Sequence, residues 1–422
     1  MILEFAAALA GAVLVSISPS ITETDQVADA LARSHTKALF YQEETGDITA
    51  VVRQLRPRLP ELRTAIPFSR WADFMNRADP DRPLPQVSPD ATAHIVFTSG
   101  TTGRSTGVVH RHQAIVNNAR FTFQRIGLGR GETLLPYVPM HHGTACGLCV
   151  PGSAWHRATL VLPEALAPGP VSELLETYRA EMLFTAPARL TVLTEDPDVG
   201  RRDLRALRTV VTATAPSPPE LIRTVEAEFG CRVVNVYGQT EASAIAAQDP
   251  ADAVADAIGR PLPQLECKIV DLATERITGI DVPGELCVRG YQVMVEYLGA
   301  PEETANRIDP DGWLRTGDVA TMDERGVIAI AGRIRDVITK DGERIYPREV
   351  ENHLAGHPGV GDAIVLGVPD PRWGQQVVAV IRPAAGSSPT PAELRAYCLR
   401  HLAPYMAPAE WYYVDSLPLC GP

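Results

Sequence analysis

Between Ser172 and Val236 the chain alternates short apolar runs with amphipathic stretches, and this alternation restricts the fold more than any other feature. Met182-Leu183-Phe184-Thr185, Thr209-Val210-Val211-Thr212 and Val233-Val234-Asn235-Val236 each read as a short buried strand. Ahead of the first, Leu174, Leu175 and Tyr178 share one helical face, with Ser172 as the expected cap. The segment "SPPELIRTVEAEFG" predicts a helix between the second and third strands. Ser217 and Glu220 fit a capping box, and Pro218 fits the first helical position. Leu221, Ile222, Val225 and Phe229 form the apolar stripe, and Gly230 is the stop. Strand, helix and strand with short connections mean a mostly parallel sheet covered by helices, with ligands at the carboxyl ends of the strands.

After about Ile258 the texture changes. "LECKIVD", "GELCVRG" and "VATMDERGVIAIAGR" have period two, which suggests hairpins and a small barrel or curved sheet. From about Arg335 a last segment has cores of its own in Ala363 to Leu366 and Val377 to Ile381. A helix follows Thr390-Pro391-Ala392-Glu393. The expected fold class is α/β: a large N-terminal domain, 1–334, of helix-covered sheets with a small β-barrel-like part, then a small α+β lid domain, 335–422. A length of 422 residues agrees with more than one core.

Composition excludes some classes. Lys+Arg 39 against Asp+Glu 51 leaves a net charge of -12, which argues against a nucleic-acid backbone binder. The local run Arg201 to Arg208 reads as a solvated helix or turn. The opening "MILEFAAALAGAVLVSISPS" lacks a basic leader and carries Glu4. It reads as a buried helix running into a strand, Ala7 to Val15, rather than a membrane or targeting segment. Seven cysteines without a signal peptide suit a reducing cytoplasm. Cys146 and Cys149, close to His141 and His142, lack a second ligand pair at zinc spacing and read as buried thiols. "DPDRPLPQVSPDATA", Asp79 to Ala93, is a proline-rich loop leading into a strand.

That strand ends in "FTSGTTGRSTGVVHRH". Its loop offers backbone and hydroxyl donors able to wrap phosphate oxygens, but it lacks the lysine of a P-loop, and alone it reads equally as a flexible turn. Four more stretches bear on it: "PMHHG" (Pro139 to Gly143), "VYGQTEAS" (Val236 to Ser243), "GWLRTGDVA" (Gly312 to Ala320) and "GRIRDVITKDGERIYPREVE" (Gly332 to Glu351). In this order and at these separations, the five stretches resemble the AMP-forming adenylating enzymes. That family comprises acyl-CoA synthetases, peptide-synthetase adenylation domains and firefly-type luciferases. The resemblance runs along the whole chain.

The resemblance implies attack of a carboxylate on the α-phosphorus of ATP, giving an acyl-adenylate and pyrophosphate, then displacement of AMP by a thiol. Thr98, Ser99, Gly100, Thr101, Thr102, Gly103 and Thr106 would wrap the β- and γ-phosphates. Thr240 would touch the α-phosphate, and Glu241 would hold Mg²⁺, a hard cation suited to a carboxylate. Tyr237 and Gly238 would lie by the adenine, opposite Thr214, Ala215 and Pro216. Asp318 would accept the ribose hydroxyls with support from Arg333, and His142 would border the carboxylate pocket. Arg335 stands at the position about which the family's lid pivots. Lys340, Asp341 and Gly342 would face the arm of CoA or of a carrier protein's phosphopantetheine.

Three departures bear on activity. Ser105-Thr106-Gly107 replaces the family's proline-lysine-glycine. The chain reads to Pro422, short of the usual catalytic lysine, and Met406 stands where a lysine is common. The front is also shorter, which would expose apolar surface for a homodimer or a partner. Loss of one preorganised donor typically lowers the rate about 10²–10³-fold. The expected activity is therefore carboxylate activation and thioester formation, with impaired adenylation. The alternatives are a catalytically dead nucleotide-binding or scaffold homologue, and a truncated product of a working enzyme. The substrate is expected to be a small aryl or simple acyl acid, because no acid is placed to pair with an amino group. Neither nucleic acid nor membrane is an expected partner.

Overall fold

A computed structural model describes residues 1–17, 24–43, 48–98, 106–254 and 257–417. The chain divides into two compact units, 1–267 with 288–314, and 268–287 with 315–422.

The centre of the first unit is a seven-stranded sheet. Its order is Arg260–Pro261, Ser243–Ala247, Arg232–Gln239, Thr209–Ala213, Met182–Thr185, Thr133–Tyr137, Thr159–Leu160. From Arg232–Gln239 onward all pairings are parallel, and the two strands on the other side run antiparallel. Successive side chains point to opposite faces. Accordingly Leu135, Leu183, Val210 and Val233 enter one core with Leu175, Leu190, Val225 and Phe229 from three helices. Their neighbours Leu134, Met182, Val211 and Val234 enter another with Phe121, Phe123 and Cys149. Burial on both faces explains why these strands are continuously apolar in sequence. A separate three-stranded sheet, Leu14–Ser16, Thr92–Thr98 and Thr106–Arg111, stands in the same unit.

In the second unit Leu314–Met322 and Ile328–Arg333 form an antiparallel pair, all but Leu314 lying in that unit. A further sheet has the order Glu343–Ile345, Ile338–Lys340, Gly374–Pro383, Val360–Asp370, with Glu410–Tyr413 also paired to Gly374–Pro383. Pro347–Ala355 and Pro391–Cys398 are its helices, and Val350, Leu354, Val377, Ile381, Leu394 and Met406 fill the core. The period-two segments are strands, as expected. No helix among the described residues is long and apolar enough to cross a membrane.

Three local expectations are corrected. The first helix, Ile2–Ala10, runs into the strand Leu14–Ser16 as expected, but it buries no residue, and Ile2, Phe5 and Leu9 are exposed. Ser172 does not cap a helix. Pro168–Thr177 has already begun, because Pro168 supplies the fixed φ of a first turn, and the Ser172 hydroxyl donates to the Gly169 carbonyl at 2.9 Å. Ser217 and Glu220 form no capping box: the helix starts at Pro219, and the Ser217 hydroxyl bonds to that of Thr212 at 2.8 Å. The stop at Gly230, with φ 65°, and the stripe Ile222, Val225 and Phe229 are as expected.

Candidate active site

Parallel register brings four carboxyl ends to one edge of the seven-stranded sheet. Tyr137 is level with Thr185, Thr185 with Thr212, and Ala213 with Val236. Beyond these levels lie Pro139 to Gly143, Ala186, Thr214 to Pro216 and, completing its strand and entering the turn after it, Tyr237 to Glu241. Sequence reading had singled out three of those four groups.

Thr214 has φ 74°, an unfavourable conformation for a β-branched residue, immediately beyond its strand. Such strain is concentrated at functional sites. Opposite it, the strand carrying Tyr237 has a bulge between Tyr237 and Gly238. A Cβ on Gly238 would lie 1.9 Å from the Ser243 carbonyl oxygen, so the tight return after the bulge admits only glycine.

The turn that follows is held on several sides. Ala242 N–H donates to the Gln239 carbonyl at 3.1 Å, and Met294 N–H to the Glu241 carbonyl at 2.8 Å. Glu241 Oε1 accepts from the Tyr297 hydroxyl at 2.6 Å. Burial, followed by this bond to the carboxylate, pushes the Tyr297 phenol well above its ordinary value, so it remains a donor.

His142 follows the strand Thr133–Tyr137. Its carbonyl receives Ala145 N–H at 2.9 Å and Cys146 N–H at 3.2 Å, and its Nδ1 accepts Thr144 N–H at 3.2 Å. Burial first, and then His141, lowers its basicity and keeps the ring neutral. Thr144–Cys149 is a π-helical turn, a form frequent at functional sites. Cys146 and Cys149 are buried in it, and burial pushes the Cys146 thiol up to about 12. The reading of both as buried thiols holds.

Ser99, Gly100, Thr101, Thr102 and Gly103 lie outside the described residues. Around them, Thr98 pairs with Thr106 across antiparallel strands. The Gly107 carbonyl accepts from Leu298 N–H at 2.7 Å.

In the second unit, Asp318 is 9% exposed and directly opposite Arg333, with Oδ1 3.6 Å from the guanidinium Nε. Sequence reading missed what holds Asp318 in place. Buried Glu285 accepts Gly317 N–H at 3.1 Å and pairs with Arg315 at 3.0 Å, while Gly317 adopts φ 72°. Its only sequence signal was an acid in the alternating strand Gly284–Gly290. Asp341 (φ 52°) and Gly342 (φ 82°) form a two-residue hairpin turn between Lys340 and Glu343. Arg335 occupies a single 3₁₀ turn, Ile334–Asp336.

A cleft of about 750 Å³ lined by Glu176, Asp196, Arg201, Arg202, Asp203 and Arg205 is not the site. It borders the helix ends that precede the strands, and Arg201, Arg202 and Arg205 are paired with Asp198, Glu176 and Asp203.

The sequence profile of the AMP-binding enzyme family matches residues 1–298, and that of the AMP-binding enzyme C-terminal domain matches 349–421. The chain belongs to the AMP-binding enzyme family. It is 33% identical to the mitochondrial medium-chain acyl-CoA ligase ACSF2 of Bos taurus, over 99% of this chain and 74% of the relative. It is 32% identical to the fatty acid–[acyl-carrier-protein] ligase ScoC of Streptomyces coeruleorubidus, over 98% and 80%. The amide bond synthetase McbA of Marinactinospora thermotolerans superposes with TM-score 0.87 at 32% identity, over 99% and 83%. ATP-bound MatB of Rhodopseudomonas palustris, at 24% identity over 99% and 82%, shares the fold with TM-score 0.87. The chain is an acyl-CoA synthetase-like AMP-forming ligase, which activates a carboxylate as its adenylate before thioester formation.

Proposed function

We propose that the protein activates a small aryl or simple acyl acid with ATP and Mg²⁺ and passes the acyl group to CoA or a carrier-protein thiol. The observation that carries this reading is that His142, Thr214, Tyr237, Thr240 and Glu241 all lie at or beyond the carboxyl ends of the parallel strands of one sheet. Thr240 meets the α-phosphate, and adenine lies between Tyr237 with Gly238 and the segment Thr214, Ala215 and Pro216. Asp318, supported by Arg333, accepts the ribose hydroxyls through its two fixed oxygens. Glu241 fits a hard cation: Tyr297 holds Oε1, and one carboxylate is what Mg²⁺ needs when phosphates supply the other oxygens. When bound, Mg²⁺ neutralises phosphate charge. Neutral His142 borders the acid pocket without adding a cation that would pair with the attacking carboxylate.

Thr98, Ser99, Gly100, Thr101, Thr102, Gly103 and Thr106 receive the β- and γ-phosphates, holding pyrophosphate by hydroxyls and backbone N–H groups. Arg335 is the hinge between domains 1–334 and 335–422, and Lys340 and Gly342 line the thiol channel.

Thermal-shift titration with ATP or AMP and Mg²⁺ tests the nucleotide site, and acid-dependent pyrophosphate release tests the chemistry. We expect a dose-dependent rise in Tm, absent in Asp318→Ala, and release with at least one member of an aryl and acyl panel. No rise at millimolar nucleotide, or a rise that persists in Asp318→Ala, would overturn the assignment. Supplying CoA, carrier protein or an amine after adenylate formation identifies the acceptor.

A further inference from the structure

His110 lies on Thr106–Arg111, directly across from His94 on Thr92–Thr98. Both imidazoles are buried, at 3% and 4% exposure. His110 Nε2 is 2.8 Å from the carbonyl oxygen of Thr240, 130 residues away in sequence. A carbonyl can only accept, so Nε2 carries the proton, and in the neutral ring Nδ1 is left as the acceptor. Nδ1 has no partner and is sealed from solvent. An unpaired lone pair is unfavourable in the interior, and aliphatic packing would avoid it. What the imidazole adds at this position is the bond to Thr240. On its other side His94 bonds Ser16 at 2.8 Å, fixing the neighbouring ring on a third strand.

We propose that His110 is a positioning residue for the Thr240–Glu241 turn, acting through the Thr240 carbonyl. This rests on the proposed roles of those two residues. The turn is then tied at successive points: Thr240 O to His110, Glu241 O to Met294 N–H, Glu241 Oε1 to Tyr297, and Gln239 Oε1 to Arg307 at 3.2 Å. Fixing the Thr240 carbonyl toward the protein sets the orientation of the next peptide, and with it the direction in which Glu241 projects. His110 follows the glycine loop by a few residues on one strand, so the same strand that ends the loop also braces the turn.

The test compares His110→Leu, which fills the space without a donor, with His110→Gln, whose side-chain N–H reaches toward the same carbonyl. The first readout is amide hydrogen exchange in the wild-type chain and both variants. Ala242 and Met294 should lose protection by about tenfold or more in His110→Leu and retain it in His110→Gln. The second is acid-dependent pyrophosphate release. In His110→Leu we expect kcat to fall about tenfold or more with the AMP Kd changed less than about threefold, and His110→Gln to recover most of the kcat. Unchanged exchange in His110→Leu, or equal loss in both variants, overturns the proposal. If the wild type releases no pyrophosphate with any acid, the functional reading fails, and the exchange comparison still decides the role of His110.

Discussion

His94 shows how one buried side chain writes a pH dependence into the fold. Burial, with a smaller contribution from His110 alongside, pushes its pKa down to about 3. An unfolded histidine titrates near 6.5. Between about 3 and 6.5 the unfolded chain therefore takes up a proton that the folded chain refuses. The stability held above about 6.5 is lost progressively as pH falls through that window. His94→Gln keeps a partner for Ser16 but cannot titrate. Its unfolding free energy plotted between pH 6.5 and 4 should be shallower than the wild type's by about one proton. Equal slopes from urea unfolding would show that His94 is not the group responsible. Met406 is instructive in a different way. It occupies a position where the resemblance expected a lysine, yet here it belongs to the core of the second unit at 6% exposure. Met406→Lys should therefore lower the urea midpoint, at a stability cost of about 2 kcal/mol or more, rather than restore activity.

Among elements, the bulged strand Arg232–Gln239 carries the site's tightest steric constraint. Gly238→Ala places a methyl group against the Ser243 carbonyl, which belongs to the return strand rather than to a flexible side chain. Relaxing the clash means separating the strands where Tyr237 and the Thr240–Glu241 turn are held. We expect a loss of about 3 kcal/mol or more in urea unfolding, together with loss of AMP binding. Helix Pro391–Cys398 is a simpler case. Thr390 accepts Glu393 N–H, and Glu393 accepts Thr390 N–H at 2.8 Å, a reciprocal capping box. Thr390→Ala should reduce stability by about 1 kcal/mol with nucleotide binding unchanged. Comparison with Ser217 shows why only one of two similar sequence patterns became a cap. Ser217 lies beside Thr212 at a strand end, and its hydroxyl is drawn to Thr212. No such competitor stands beside Thr390 in the bonds its hydroxyl makes, which are both to Glu393.

For the whole molecule, the two-step reaction places different demands on different segments. If Arg335 is the hinge, restricting its backbone should slow only the step that needs the lid in a second orientation. Arg335→Pro should leave pyrophosphate release within about threefold of wild type and reduce thioester formation about tenfold or more. Equal effects on both half-reactions would remove the hinge role.

The alternating apolar runs predicted the parallel sheet because burial on both faces leaves a direct mark on local composition. Thr214, Tyr237, Glu241 and Asp318 were legible only through the family motifs: the first three lie at or beyond the carboxyl ends of parallel strands, whereas Asp318 sits inside the antiparallel strand Leu314–Met322. The exposed first helix escaped this reading: apolar content reports a tendency to be buried, but the available cover is a property of the assembled chain. The bonds from His110 to Thr240, Tyr297 to Glu241 and Glu285 to Gly317 join segments 130, 56 and 32 residues apart. No local period encodes such pairs. Sequence determined which strands form and what lies at their ends; the order in which those strands lie side by side decided which buried donors meet which carbonyls and carboxylates.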